Sequence, residues 1–413
     1  MSALYRTLTG TFLIVTSTDA DFPELRLKSR EDRRLRAGHL WVYSNEVDTR
    51  ATPLKGLEPG TLVRLMAADG KFLGYAGASP NSLIAARILS RDAAHPPDRS
   101  LFVHRLNVAI ALRERLYPEP YWRALFADGD AVPGLIADRY GDVVVLQAGT
   151  AAIEALKGEI VDAVQKVLAP AGILWRNDSG VRETEGLERY VEVAAGAVPA
   201  EVPVREAGIE FTAPVQHGQK TGWFFDQRDN RARFARYAPA TVLDAYSYTG
   251  AWGLSAAARG ARATLVDASA AALEIAARDA ARLGLDVECV QGQAFEVMKS
   301  LADDGRRFTA VVVDPPAFIK RRKDHRAGLA AYQRANQLAM RLLERDGLLV
   351  SCSCSFHLGA DELLEAIQRA ARHLDRFVQV LEIGGQSADH PAHPAIPETR
   401  YLKAVFCRVL PAS

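Results

Sequence analysis

Residues 241–250 read Thr241-Val242-Leu243-Asp244-Ala245-Tyr246-Ser247-Tyr248-Thr249-Gly250, an apolar run that closes on an acid and passes into a polar turn ending in glycine. A helical pattern follows over residues 252–259, a second apolar run over 264–267 ends in Asp267, and another helical stretch covers 270–283. Strand alternating with helix at this spacing specifies βαβ units and therefore a parallel sheet. Five more strand-like runs lie at 289–291, 309–313, 348–351, 379–382 and 404–409, so the expected class of residues 205–413 is α/β with a seven-stranded sheet. The last two runs have no strong helix between them, and residues 384–397 are rich in Gly, Pro and His, which predicts a closing hairpin and an antiparallel last strand at the sheet edge.

Upstream the pattern changes. Residues 24–92 carry short alternating runs such as Leu62-Val63-Arg64-Leu65 and Phe72-Leu73-Gly74-Tyr75, joined through Asp69-Gly70, and read as a small β-rich domain. Its entry gathers Arg26, Lys28, Arg30, Arg33, Arg34 and Arg36, then His39, Trp41 and Tyr43. That mixture suits RNA backbone and bases, and it equally suits a solvated charged turn beside a core tryptophan. Residues 93–204 read as a central α+β domain: a helix over 101–116, strands at 134–138 and 143–147 joined through Arg139-Tyr140-Gly141, a helix over 151–168, a strand near Ile173, and a linker over 194–203. Residues 1–23 lack periodicity and are expected to be an N-terminal extension or one edge strand, with no function attached.

Composition bounds the function. With 413 residues, 48% hydrophobic and 24% charged, the chain excludes wholesale disorder, collagen-like sequence and a coiled-coil rod. Lysine plus arginine (51) nearly cancel aspartate plus glutamate (50), so any nucleic-acid affinity must come from a local basic surface. The four cysteines, Cys289, Cys352, Cys354 and Cys407, form no C-x-x-C pair, which favours a reduced cytoplasmic setting and no metal. The apolar stretch 11–15 is too short for a signal core or a membrane span, so a soluble chain with no membrane partner is expected.

In doubly wound sheets ligands bind where the strands end, so polar strand ends are the candidate chemistry. After Asp244 the turn lacks the G-x-G-x-x-G of a dinucleotide site, because Tyr246 and Tyr248 stand where glycines are needed. Gly250 still permits a close approach to the next helix N-terminus, which suits a carboxylate-bearing cofactor. Asp267, 23 residues after Asp244, either accepts both hydroxyls of a ribose or caps the helix beginning near Ser269. The run Val311-Val312-Val313 enters Asp314-Pro315-Pro316-Ala317-Phe318, where two prolines stiffen the exit and aim one carboxylate. Asp314 can meet the hydrogen-bonding edge of a base, with Phe318 available to stack. The run Lys320-Arg321-Arg322-Lys323 that follows can hold phosphates. Finally, Ser351-Cys352-Ser353-Cys354-Ser355 ends a strand with two cysteines that alternation sends to one face, and a thiolate is the nucleophile that addition to C6 of a pyrimidine requires.

These strings resemble the S-adenosylmethionine-dependent methyltransferases of Rossmann type, and more closely the RlmI-type large-subunit ribosomal RNA (cytosine-C5) methyltransferases. The resemblance spans nearly the whole chain: Gly38-His39-Leu40-Trp41-Val42-Tyr43-Ser44, Gln216-His217-Gly218-Gln219-Lys220-Thr221-Gly222, Asp226-Gln227-Arg228, Tyr246-Ser247-Tyr248-Thr249-Gly250, Asp314-Pro315-Pro316, Ser353-Cys354-Ser355, Ala388-Asp389-His390-Pro391 and Tyr401-Leu402-Lys403. It implies a PUA-like RNA-binding domain, a central α+β domain and a class I methyltransferase domain. It implies S-adenosylmethionine as cofactor, held by Lys220, Asp226, Gln227, Asp244, Tyr246, Ser247, Gly250, Asp267, Gln293 and Asp314. It assigns the nucleophile to Cys354, with Asp314 as the second catalytic residue, and substrate binding falls to Pro315, Pro316, Phe318, Lys320, Arg321 and Arg322, the last three toward phosphates. Two positions depart from the pattern: Gln293 stands where an acid is expected, and Cys352 doubles the cysteine and reads as packing. The partner implied is large-subunit ribosomal RNA, with a homodimer allowed.

The expected reaction is methylation of cytosine C5 through a Cys354–C6 adduct. Methylation of a purine nitrogen in RNA, which needs no cysteine, and a noncatalytic RNA-binding role in ribosome assembly are the alternatives.

Overall fold

The computed structural model describes residues 3–6, 12–15 and 22–412. Within residues 1–23, Ala3–Arg6 and Phe12–Val15 form an antiparallel pair, so this extension holds a hairpin and not a single edge strand. Residues 1–2, 7–11 and 16–21 of the expected extension lie outside the described residues. The chain divides into two units, one made of residues to 200 with 219–221 and 391–399, the other of the remainder.

The first unit contains two five-stranded sheets. In one, Glu24–Arg26, Leu62–Met66, Phe72–Ala78, Ile84–Ser90 and Trp41–Tyr43 lie in that order around a core including Leu25, Val42, Val63, Leu65 and Ile88. Asp69-Gly70 does join a hairpin, since Leu62–Met66 pairs antiparallel with Phe72–Ala78. Part of the basic entry turns out to be structural: Arg34 pairs with Glu46, Arg36 with Asp32 and Arg26 with Glu24, and Trp41 donates to Asp128 at 2.7 Å. Arg30 and Arg33 stay exposed.

The other sheet runs Tyr190–Gly196, Gly172–Asn177, Val143–Ala148, Leu135–Tyr140, Tyr121–Phe126. Tyr121–Phe126 escapes a sequence reading because Arg123 interrupts its apolar run. In the fold that guanidinium is buried against Asp138 through two 2.8 Å bonds, which is what makes an arginine tolerable there. The expected linker over 194–203 is instead the end of one strand and the start of another, Val202–Glu206. Tyr190–Gly196 is an exposed edge strand, so it lacks the apolar pattern of a buried one. The helix expected over 151–168 is two, Ala151–Ala155 and Lys157–Leu168.

The second unit is built on the seven-stranded sheet. Its strands are β1 Thr241–Ala245, β2 Arg262–Asp267, β3 Val287–Gln291, β4 Phe308–Val313, β5 Leu343–Ser353, β6 Arg376–Gly384 and β7 Lys403–Pro411, in spatial order β3-β2-β1-β4-β5-β7-β6. The first five are mutually parallel, and β7 runs antiparallel to both of its neighbours. The last strand is therefore antiparallel as expected but does not form the edge; it inserts between β5 and β6. Burial explains the order, since Ala404 to Cys407 are fully buried whereas β6 exposes Phe377, Val380, Leu381 and Ile383. Register fixes the site: Ala245 lies between Val266 and Val313, and Val313 lies beside Ser351. The residues that follow, Tyr246, Asp267, Asp314 and Cys352 to Cys354, thus leave the sheet along one edge.

Candidate active site

Asp244 ends β1 with no exposed surface. One carboxyl oxygen accepts the Gly253 N–H at 2.9 Å from the next helix, Ala251–Ala257, while the other is buried without a hydrogen-bond partner. Burial, then the negative charges of Asp314 and Asp267, push its ionisation up to about 7. In the turn that follows, Tyr246 Oη and Ser247 Oγ are likewise buried, and like that oxygen they have no hydrogen-bond partner among the described residues. A folded protein rarely leaves buried polar atoms unsatisfied, and a polar ligand at this strand end is one way to satisfy them.

The turn itself is strained. Tyr246 and Tyr248 adopt left-handed backbone with φ of 65° and 51°, a conformation costing a non-glycine residue on the order of 1–2 kcal/mol. Asp267 holds it there, one oxygen accepting the Tyr248 N–H at 2.8 Å and the other the Ser269 N–H at 2.8 Å. Asp267 therefore ties two backbone segments together, while Ser269 caps helix Ala270–Leu283 with its own hydroxyl. Gly250 has φ of 80°, and a Cβ there would meet Leu265 Cδ1 at 2.7 Å, so no larger residue fits the helix entry. Gln293 is exposed after β3 and makes no capping bond to helix Ala294–Asp303.

Directly after β4, Asp314 is oriented by two buried donors, Gln227 Nε2 at 2.9 Å and the Trp252 indole N–H at 3.2 Å. Gln227 is in turn fixed by Asn230, whose amide donates to its carbonyl at 2.7 Å. Asp226, the neighbour of Gln227, accepts the Tyr401 hydroxyl at 2.5 Å, and Ser387 bonds its carbonyl. Both side chains, expected to touch the cofactor, are nearly buried and engaged by protein groups; sequence spacing gave no sign of Asn230, Trp252 or Tyr401 as their partners. Lys220 is exposed with left-handed backbone, in the first unit.

Pro315 is buried and Pro316 exposed, so the loop turns outward directly after Asp314. Phe318, expected to stack on a base, sits among rings of the protein: Tyr332 at 4.8 Å, Phe295 at 5.9 Å and Tyr246 at 6.4 Å between centroids. Lys320, Arg321 and Arg322 are exposed, and among the described residues none forms an ion pair, in contrast to the paired cations of the N-terminal sheet.

The two cysteines differ sharply. Cys352 is fully buried, packed with Trp252, Val350 and Phe406, and burial raises its thiol well above the usual range. Cys354 lies just past β5 and is partly exposed. Ser353 donates to the Tyr332 hydroxyl at 2.8 Å and Ser355 to the Ile319 carbonyl at 2.6 Å, so the serines face one side and leave the other to the cysteines. The thiol of Cys352 feels both Asp314 and Cys354, which puts these groups in one electrostatic neighbourhood.

Three acids at adjacent strand ends suit a cationic ligand and oppose a pyrophosphate, and the strained tyrosine turn replaces the glycine nest a dinucleotide needs. Comparison with known proteins agrees. Residues 25–91 match a PUA-like domain and residues 188–408 an S-adenosylmethionine-dependent methyltransferase. The chain is 35% identical over 396 residues to the ribosomal RNA large subunit methyltransferase I of Erwinia tasmaniensis, covering 93% of this chain and 98% of that one. It is 34% identical over 402 residues to the protein of the same name from Klebsiella pneumoniae, covering 95% and 100%. A solved Streptococcus mutans protein described as a SAM-dependent methyltransferase shares the fold, with a TM-score of 0.78, 20% identity, and coverage of 94% of this chain and 100% of that one. The oriented carboxylate of Asp314, the unsatisfied oxygen of Asp244 and these likenesses meet in one conclusion: the chain belongs to the ribosomal RNA large subunit methyltransferase I family and is an S-adenosylmethionine-dependent methyltransferase.

Proposed function

We propose that this chain methylates C5 of a cytosine in large-subunit ribosomal RNA, with Cys354 adding covalently to C6 of the base. The observation that carries this reading is the pairing, on neighbouring strand ends, of an oriented carboxylate at Asp314 with a partly exposed thiol at Cys354, while Cys352 is sealed. The substrate class comes from the relatives' names. Residues 24–92 would serve as the PUA-like RNA-binding domain, 93–204 as the central domain, 205–413 as the catalytic domain and 1–23 as an extension. Arg30 and Arg33, with the exposed Lys320, Arg321 and Arg322, would take phosphates. Such a substrate implies action in the cytoplasm, and among the described residues no helix is long and apolar enough to cross a membrane.

When bound, S-adenosylmethionine supplies an electrophilic methyl on a sulfonium. Asp244, Tyr246, Ser247 and Asp267 would hold it, with Gly250 setting the left-handed turn into the helix, Gln293 at the periphery, and Asp226 and Gln227 positioning residues around it. C5 of cytosine is a weak nucleophile. In this reading the Cys354 thiolate pair bonds to C6 and the C5–C6 π pair shifts to C5; after methylation the C5 proton leaves to solvent and the S–C6 pair returns to sulfur, while Asp314 accepts from the N4 amino group and fixes the edge of the base.

RNA carrying 5-fluorocytidine tests the reading, because fluorine blocks the elimination that releases the enzyme. Incubation with cofactor is expected to leave a denaturant-stable protein–RNA adduct mapping to Cys354. Absence of any adduct, with methyl transfer to a ring nitrogen found by nucleoside analysis, would replace cysteine addition by nitrogen methylation.

A pH dependence follows from Asp244. Below about 7 its carboxyl is protonated and neutral; above, it is a carboxylate beside Asp267 and Asp314. A ligand bearing sulfonium and ammonium favours the ionised form, so its binding lowers that ionisation point and releases protons near neutrality. Cofactor affinity is expected to rise severalfold between about pH 6 and about pH 8. Calorimetry at pH 7 in buffers of different ionisation enthalpy should detect the released protons, and Asp244→Asn should abolish both effects.

A further inference from the structure

Lys403 opens β7 opposite Ser353 of β5. Its ammonium donates to the carbonyl of Ser355 and, at 2.8 Å, to that of Tyr401. Both acceptors are neutral, so this half-buried cation is solvated by carbonyls without its charge being matched. The ionisable groups whose fields reach it are Cys354 and Glu362. Glu362 is already shared with His325 at 2.7 Å and with the Gly359 N–H at 2.8 Å, whereas Cys354 immediately precedes the carbonyl that Lys403 grips. The other titratable groups acting with the sulfur, Tyr332 and Cys352, are acids, and Asp314 acts on both of them. Lys403 brings a positive charge into that surrounding.

We propose that Lys403 is the positioning residue of the Cys354 nucleophile, fixing the Ser353-Cys354-Ser355 turn through the Ser355 carbonyl and favouring the thiolate over the thiol. The inference rests on the reading of Cys354 as nucleophile and deepens it. The turn is fastened on its other side by the bonds of Ser353 to Tyr332 and of Ser355 to Ile319, so Lys403 completes a rigid mount for the sulfur. In the step it assists, the thiol proton passes to solvent, the sulfur pair forms the S–C6 bond, the C5–C6 π pair moves to C5, and Lys403 keeps its three protons. Burial lowers the amine to about 8, which leaves it charged at neutral pH.

The test reads the thiol and not methyl transfer. Alkylation of Cys354 in the full chain by iodoacetamide is followed by peptide mass spectrometry from about pH 6 to about pH 10. Lys403→Gln is expected to raise the midpoint by about one unit and slow alkylation at pH 7 about tenfold, while Lys403→Arg stays within about twofold of wild type. Superimposed profiles for wild type and K403Q would overturn the proposal. Circular dichroism and cofactor binding verify the fold. If K403Q does not fold, the wild-type profile decides: a midpoint below the ordinary thiol value of about 8.5 supports the proposal and one at or above it overturns it. An adduct with 5-fluorocytidine RNA but no shift in K403Q removes only the role of Lys403. A shift without any adduct keeps the Lys403–Cys354 pair and removes the nucleophile reading.

Discussion

Replacing Cys354 by alanine is expected to reduce methyl transfer about a thousandfold or more, whereas Cys352→Ala stays within a few-fold of wild type. The asymmetry comes from burial. Cys352 is sealed among Trp252, Val350 and Phe406, and its thiol is held protonated, so it can neither reach a base nor present a thiolate. Its removal costs packing of a small side chain, a stability effect of about 1 kcal/mol. Cys354 is partly exposed, next to a cation, in a turn whose flanking serines are bonded to Tyr332 and Ile319. Without its sulfur, C5 keeps its ground-state reactivity and the crevice only binds. Single-turnover transfer of labelled methyl to RNA measures both variants, with cofactor affinity as the control. Equal losses would show that the two sulfurs act together and would remove Cys354 as the sole nucleophile.

Much of the catalytic sheet is legible in the sequence because β1, β2, β4 and the second half of β5 are buried on both faces and read as short apolar runs, whereas β3 is an exposed edge strand of mixed pattern. Strand ends are legible for the same reason: an acid or a cysteine after such a run stands out. The order of the last two strands is not, since both carry mixed patterns and only tertiary packing decides that β7 is covered and β6 is not. Tyr121–Phe126 is hidden by Arg123, whose partner Asp138 lies on the adjacent strand. The site shows the same division. Asp244, Asp267, Asp314 and Cys354 stand at or beside strand ends, but Gln227, Trp252, Tyr401 and Lys403 act through bonds that cross between distant segments, as does Asn230 through the Gly385 carbonyl. The entry cations of residues 26–36 show the converse, a dense charge run of which part is ordinary ion pairing.

Asp314→Asn is expected to lower the methyl-transfer rate about a hundredfold to a thousandfold while the protein stays folded. Asparagine can keep one oxygen toward Gln227 Nε2 and Trp252 Nε1, so neither buried donor is orphaned, an orphaning that Asp314→Ala would impose at about 1–3 kcal/mol each. What asparagine then turns to the base is an amide NH2, which cannot accept from the N4 amino group of cytosine and so loses the grip that aligns the ring with the sulfur. The substitution also acts on Asp244, whose ionisation is held up in part by the charge of Asp314. Removing that charge should let Asp244 ionise at lower pH, so the proton release that accompanies cofactor binding should move to lower pH in D314N even as turnover collapses. Calorimetry and single-turnover kinetics on the same sample separate the two effects. Turnover within a few-fold of wild type would remove Asp314 from the base contact. A proton-release profile unchanged from wild type would mean that the carboxyls of β1 and β4 do not share the field through which cofactor and base sites are coupled here.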